Sequence, residues 1–472
     1  MEASLTQFEY DLVVIGSGPA GHSAAIQAAK LRKRVILVER KAIVGGVCMN
    51  IGTIPSKTMR EAVLYLSGYR EHALYGESYK VKEKITLADL LFRVEPVVRH
   101  EVDVTRHQLL RNNVELEHAE ASFVDAHTLR LLFQERSGER IVTADKVVVA
   151  VGTGAARDPR MALDGNCVFS SDDILQLKDL PGSLAVIGAG VIGCEYASIF
   201  AALGVKVTII EKRARLLPFV DAEIIEALTY HLRDRRVTMR LGEEVDRVEL
   251  VDDGAHPRVK INLVSGKQIV ADKVLRSTGR SGATSGLCLE AAAVATDDRG
   301  RVKVNHVYQS EVANIYAAGD VIGFPSLAST SREQGRIAAC HAFGIEAKHA
   351  PELFPYGIYT IPEISFVGQN EEELTDKGVP YEVGKAQYRE IARGQIVGDT
   401  TGMLKLLFER NTRELLGVHV IGEGAVELVH IGQAVLSLKG KVDYFVDTVF
   451  NYPTLAECYR NAAFDGINRL QM

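Results

Sequence analysis

The sequence predicts an α/β protein: two doubly wound units, each opening with a strand, a glycine turn, a helix and a second strand, followed by a C-terminal α+β domain. Three observations carry this. The order strand, glycine turn, Ala-rich helix, strand occupies residues 11–39. It recurs at residues 184–211. From about residue 353 the texture changes to alternating runs such as GMLKLLFE and LLGVHVIG, the pattern of an antiparallel sheet with helices around it.

Each element can be justified in order. DLVVI (11–15) is a short apolar run stopped by Gly16; residues 19–31 have helical composition; RVILVE (34–39) is a second buried strand. Residues 87–113 read as a helix, and KVVVAVGTG (146–154) as a strand ending in glycines. LAVIG (184–188), the helix over 191–203 and KVTIIE (206–211) repeat the opening, and KVLRSTGR (273–280) repeats the strand-then-glycine pattern. NIYAAGD (314–320) adds a strand with an acid at its C-terminal end.

Composition excludes several classes. The 472 residues are 47% hydrophobic and 25% charged, with a formal net charge of -6, which gives no electrostatic case for nucleic acid. No stretch approaches the roughly 20 apolar residues that span a bilayer, so no membrane partner is expected. Six cysteines are scattered without CxxC or metal-ligand spacing, so neither a disulfide scaffold nor a metal site is expected. An acidic start and a short first apolar run differ from a secretory leader, and a cytoplasmic protein is expected.

Gly16-Ser17-Gly18-Pro19-Ala20-Gly21 sits between a strand and a helix. Gly16 allows the tight turn, Gly18 lets a pyrophosphate approach the backbone, and Gly21 lets helix and strand pack closely. Glu39, 23 residues after Gly16, closes the second strand where an acid accepts hydrogen bonds from a ribose. Gly188-Ala189-Gly190-Val191-Ile192-Gly193 repeats the motif, with Glu211 again 23 residues on. Two Rossmann-like dinucleotide sites are therefore expected. The motif alone does not tell FAD from NAD. Asp320, after AAG, suits a ribityl or ribose hydroxyl, the plain alternative being a helix N-cap. Glu211 suits the 2′-hydroxyl of NAD(H), whereas Lys212, Arg213 and Arg215 beside it suit the 2′-phosphate of NADP(H) or form a solvated loop face.

GGVCMNIGTIPSK (45–57) resembles the redox-active segment of the dihydrolipoyl dehydrogenase and glutathione reductase flavoproteins. The resemblance implies an FAD domain from 1–153 and 281–352, an NAD(P) domain at 154–280, and a C-terminal interface domain at 353–472 that makes a homodimer. Assembly beyond the dimer is left open. It also implies cofactor contacts at Arg40, Gly46, Val47, Gly152, Gly279, Arg280, Gly319 and Ala328, in addition to the residues of the two glycine motifs.

Two departures from that family bear on function. Its disulfide enzymes carry a second cysteine five positions after the first; here Cys48 is followed by Thr53, and a hydroxyl forms no disulfide. Where the family has His-Pro-Thr, this chain has Tyr452-Pro453-Thr454, with Glu457 retained. Tyrosine, with an ordinary pKa of about 10, is a poor base near neutral pH. Together GTIPSK and NYPT resemble the soluble pyridine nucleotide transhydrogenases of the family, in which FAD relays hydride between NADPH and NAD+ in a ping-pong cycle. The resemblance places Lys57 beside the isoalloxazine with Glu195 as its partner, Cys48 and Thr53 near the flavin, and Tyr452 toward the partner subunit's flavin region, with Glu457 as the retained acid of the catalytic set. Cys48 reads best as an inert small side chain. His22, His341 and His430 read as packing or surface residues. Rival readings are an NAD(P)H:quinone reductase, a disulfide reductase using a distant thiol such as Cys458, and a non-catalytic scaffold.

Overall fold

The computed structural model describes residues 8–133, 137–252, 257–347 and 353–470. The chain forms two compact units. One comprises Met1–Thr58, Phe92–Ala156 and Gly279–Pro351; the other comprises Met59–Leu91, Arg157–Thr278 and Glu352–Met472.

The first unit is built on strand Tyr10–Ile15, which pairs in parallel with Val35–Glu39 on one side and Glu139–Val149 on the other. Glu115–Phe123 extends the sheet beyond the second strand, and Ile315–Ala317 extends it beyond Glu139–Val149. Side chains alternate between the two faces, as a fully covered strand requires. Leu12 and Val14 pack against the Ala-rich helix Pro19–Lys30, whereas Val13 and Ile15 pack with Phe123, Leu129 and Leu131 on the opposite face. The helix uses alanine because its neighbour, Ala328–Ala342, comes within backbone contact: a Cβ on Gly335 would lie 2.0 Å from the Ala20 carbonyl oxygen.

An antiparallel extension was not legible as a separate feature. Thr128–Phe133 pairs with the C-terminal half of Glu115–Phe123 and the N-terminal half of Glu139–Val149. Each of the two long strands therefore serves a parallel and an antiparallel ladder along its length.

The second unit holds a parallel sheet in the order Thr238–Leu241, Lys206–Glu211, Ser183–Ile187, Lys273–Arg276, Val168–Ser170. The second glycine turn follows Ser183–Ile187 and leads into helix Val191–Ala202. A three-stranded antiparallel meander, Val245–Asp252, Pro257–Leu263 and Gln268–Ala271, carries its inner face into the same core through Val259 and Ile261. The C-terminal part is a five-stranded antiparallel sheet, Tyr356–Ile358, Ile364–Gly368, Leu415–Ile421, Met403–Glu409 and Tyr381–Gln387, packed on helices Ala425–Ser437 and Glu457–Leu470. Lys405 on this sheet is wholly buried, and its ammonium is satisfied by Asp221 Oδ1 at 2.9 Å, Glu223 at 3.2 Å and the Glu371 carboxylate. A buried charge is tolerated where it is paired and hydrogen-bonded in this way.

Candidate functional site

The first glycine turn is shaped by close approach. Gly16 adopts φ +102°, and a Cβ there would lie 2.5 Å from the Ala150 carbonyl oxygen. A Cβ on Gly21 would lie 1.8 Å from the carbonyl oxygen of Gly16. Gly18 differs from both: nothing lies within 4 Å of its Cβ position. It is the N-cap of helix Pro19–Lys30, Pro19 is at the helix start, and no side chain caps the end. Glu39 is 7% exposed and accepts Ser17 N at 3.0 Å, Ser17 Oγ at 2.6 Å and Lys41 N at 2.9 Å. Ser17 Oγ accepts in turn from Gly45 N at 2.9 Å, which ties the first turn to the segment carrying Cys48. Sequence reasoning passed over Ser17.

Gly46 approaches Gly18 so closely that a Cβ would lie 2.9 Å from the Gly18 Cα. Gly46, Val47 and Cys48 open the short helix Gly46–Asn50, and Thr53 begins helix Thr53–Ser67, which carries Lys57 one turn further on. The Thr53 side chain lies near enough to Cys48 to favour its thiolate, so the structure brings the two residues together. Burial pushes the Cys48 thiol above its ordinary range, against the opposing effects of Thr53, Arg332 and Lys57. Arg332 lies in helix Ala328–Ala342, and its charge also reaches His22, whose imidazole is pushed down to about 4, mainly by burial. His22 Nε2 is buried without a hydrogen-bond partner among the described residues. No motif flagged Arg332.

Asp320 follows Gly319, whose amide donates to Gln334 Oε1 at 2.8 Å. The Asp320 carboxylate is pushed up by burial, opposed by Arg280, and has no hydrogen-bond partner among the described residues. Arg280 is held by Thr153, through Nε to Oγ1 at 2.9 Å and Nη2 to the carbonyl oxygen at 2.8 Å. Gly152 and Gly279, at φ +67° and +124°, lead into the paired strands Thr153–Ala155 and Arg280–Gly282. Ala328 opens the helix that packs on the glycine-turn helix, and Arg40 is exposed beside Glu39.

The second glycine turn repeats the first position by position. Gly188 has φ +101° and a Cβ there would lie 2.5 Å from the Ser277 carbonyl oxygen; a Cβ on Gly193 would lie 2.0 Å from Gly188 O; nothing lies within 4 Å of the Gly190 position. Ser277, also missed from sequence, supports the turn by donating its hydroxyl to Gly188 O at 2.8 Å. Gly190 caps helix Val191–Ala202 without a side-chain bond, and Val191 and Ile192 form its first turn. Glu211 is 5% exposed. Burial alone would raise its pKa, but the Arg213 guanidinium and two backbone amides hold it down at about 2. Arg213 grips it from both sides, Nε to Oε1 at 2.9 Å and Nη2 to Oε2 at 2.8 Å. Arg215 is committed elsewhere, its Nη1 donating to Glu372 at 2.9 Å, and Lys212 is exposed.

Glu195 is 4% exposed on helix Val191–Ala202, where its Oε1 accepts the Tyr359 amide at 2.9 Å. Tyr452 is 73% exposed, whereas Glu457, at the start of helix Glu457–Leu470, has a buried Oε2 without a hydrogen-bond partner among the described residues. All six cysteines are free. Cys458 is wholly buried, and burial pushes its thiol up to about 12, which leaves it a packing residue. His341 Nδ1 bonds Tyr316 Oη at 2.9 Å and His430 Nδ1 bonds Gln433 at 2.8 Å. Among the described residues no helix is long and apolar enough to cross a membrane.

Residues 10–335 match the pyridine nucleotide-disulphide oxidoreductase family, and residues 354–463 match that family's dimerisation domain. A soluble pyridine nucleotide transhydrogenase of Mycobacterium bovis (strain BCG / Pasteur 1173P2) is 54% identical, covering 98% of each chain. One from Colwellia psychrerythraea is 46% identical, covering 98% of this chain and 99% of the relative. Among solved structures, the HOCl-induced flavoprotein disulfide reductase RclA from Escherichia coli superposes with a TM-score of 0.85 at 28% identity, covering 96% of this chain and 99% of that one. LpdA from Mycobacterium tuberculosis gives 0.87 at 26% identity, covering 96% and 99%. With its paired glycine turns and two matching domains, the chain belongs to the pyridine nucleotide-disulphide oxidoreductase family.

Proposed function

We propose that the protein is an FAD-dependent NAD(P)+ transhydrogenase that passes hydride from NADPH to NAD+ without a redox disulfide. The observation that carries this is the pairing of Cys48 with Thr53: the position that acts on the thiol offers a hydroxyl where the disulfide enzymes need a second sulfur. The relatives' names support the same activity.

The residues present fit FAD at the first turn. Gly18 leaves room at an uncapped helix start for a pyrophosphate, and the carboxylate of Asp320 is partly buried with no hydrogen-bond partner among the described residues, as one reserved for a ribityl or ribose hydroxyl would be. When bound, FAD supplies a hydride relay at N5, taking hydride from one nicotinamide and returning it to another. Gly16, Gly18, Pro19, Ala20, Gly21 and Glu39 would hold its adenosine and pyrophosphate end; Arg40, Gly46, Val47, Gly152, Gly279, Arg280, Gly319, Asp320 and Ala328 would complete the site. Lys57 would set a positive charge against negative charge gathering on the isoalloxazine. Glu195, whose Oε1 accepts the Tyr359 amide, would partner Lys57. Cys48, neutral at physiological pH, would be a packing residue with Thr53.

Gly188, Gly190, Val191, Ile192, Gly193, Glu211, Lys212 and Arg213 would receive NAD(H) and NADP(H) in turn. We assign residues 1–153 and 281–352 to the FAD domain, 154–280 to the NAD(P) domain and 353–472 to the interface of a homodimer. Tyr452, exposed in the single chain, and Glu457 would face the partner there. Six free cysteines support a reducing compartment, and we place the protein in the cytoplasm.

Anaerobic dithionite titration of the holoenzyme tests the disulfide-free chemistry. The proposal expects full reduction with two electrons per FAD. Uptake of four electrons per FAD would reveal a redox-active dithiol and overturn it.

A further inference from the structure

The Glu211 carboxylate has no acceptor position to spare. A carboxylate offers about four. Two are taken by backbone amides, Ala189 N at 2.7 Å and Arg213 N at 3.0 Å; the other two are taken by the Arg213 side chain, Nε at 2.9 Å and Nη2 at 2.8 Å. The equivalent acid of the first turn, Glu39, receives the matching backbone bonds from Ser17 and Lys41 and one hydroxyl, but among the described residues no cation bonds it. The clamp is thus peculiar to the turn that must exchange its nucleotide.

We propose that Arg213 is a swinging clamp that sets the balance between the two nicotinamide nucleotides, opposing NAD(H) and assisting NADP(H). This rests on the transhydrogenase reading, in which one site takes both. The 2′,3′-diol of NAD(H) needs the acceptor positions that the guanidinium occupies, so Arg213 must first turn outward. The 2′-phosphate of NADP(H) is repelled by Glu211 and attracts the guanidinium, whose planar fork matches a phosphate through two parallel N–H bonds. The same side chain is a competitor for one substrate and a ligand for the other. Its side chain is 44% exposed, so the swing requires no repacking. Arg215 is engaged away from Glu211, its guanidinium bonded to Glu372 and to the Pro218 carbonyl.

The test is calorimetric binding of ADP-ribose and of 2′-phospho-ADP-ribose to oxidised holoenzyme, wild type against Arg213→Met. Removing the clamp is expected to tighten ADP-ribose about 2- to 5-fold, the scale of a half-exposed ion pair. It is expected to weaken the 2′-phosphate about 10- to 100-fold, the scale of lost charge-assisted hydrogen bonds. Arg213→Lys, which keeps the charge without the fork, should retain the tightening and lose less of the phosphate affinity. If ADP-ribose binds Arg213→Met no more tightly than wild type, or both ligands weaken together, the clamp is overturned. Hydride transfer from NADPH to NAD+ is measured separately on the same preparations. Opposite affinity shifts without that transfer would keep the clamp and remove the transhydrogenase reading; transfer with parallel shifts would do the reverse.

Discussion

Single side chains separate this protein from the disulfide enzymes of its family. The thiol that remains, Cys48, is disfavoured as a nucleophile by burial, which holds its pKa above the ordinary 9.0. The thiolate is then a minor species at neutral pH. Alkylation of Cys48 by iodoacetamide, followed by mass spectrometry, should be slow at pH 7 and should rise with pH up to 9 without a plateau. Rapid alkylation at pH 7 that levels off below pH 9 would mean an activated thiol. The loss of the second sulfur and of the imidazole was legible in the sequence, because both fall inside short motifs of fixed spacing. What Arg213 does was not. Lys212, Arg213 and Arg215 look interchangeable in the chain, and only tertiary contacts distinguish them: Arg215 is drawn off by Glu372, 157 residues away, while Arg213 closes on its near neighbour Glu211.

At the scale of elements, the two strand–turn–helix–strand units show why glycine recurs at three positions for two different reasons. Gly16 and Gly21 are demanded by the fold itself, since a side chain would collide with backbone; Gly18 is demanded only by what approaches from outside. Two substitutions should therefore fail differently. Gly21→Ala should destabilise the chain by about 1–3 kcal/mol or more, because the Cβ would meet a carbonyl oxygen that cannot move away. Gly18→Ala should leave the urea midpoint of the flavin-stripped chain unchanged while FAD affinity falls at least tenfold. Equal loss of stability in both would contradict the assignment of Gly18 to the ligand. The strands of these units were legible because they are short apolar runs stopped by glycine. Strands Glu115–Phe123 and Thr128–Phe133 and the meander strands Val245–Asp252, Pro257–Leu263 and Gln268–Ala271 were not, because they carry no chemical motif. Helix Leu87–Arg111 was predicted within two residues and continues through Pro96.

At the scale of the whole molecule, the chain combines two dinucleotide turns of the same construction with a dimerisation domain, and lacks the second sulfur that would turn hydride into dithiol chemistry. Duplication of the turn explains how one protein can keep one dinucleotide resident and exchange another. On the proposed assignment, the resident site would leave its acid without a cation bond among the described residues, and the exchanging site would clamp it. The central claim is that hydride taken from NADPH is delivered to NAD+. It is tested most directly under anaerobic conditions, by bleaching the bound flavin with one equivalent of NADPH, removing NADP+, and adding excess NAD+. The account predicts rapid return of flavin absorbance with a stoichiometric amount of NADH. A flavin that bleaches with NADPH and stays bleached when NAD+ is added would contradict it.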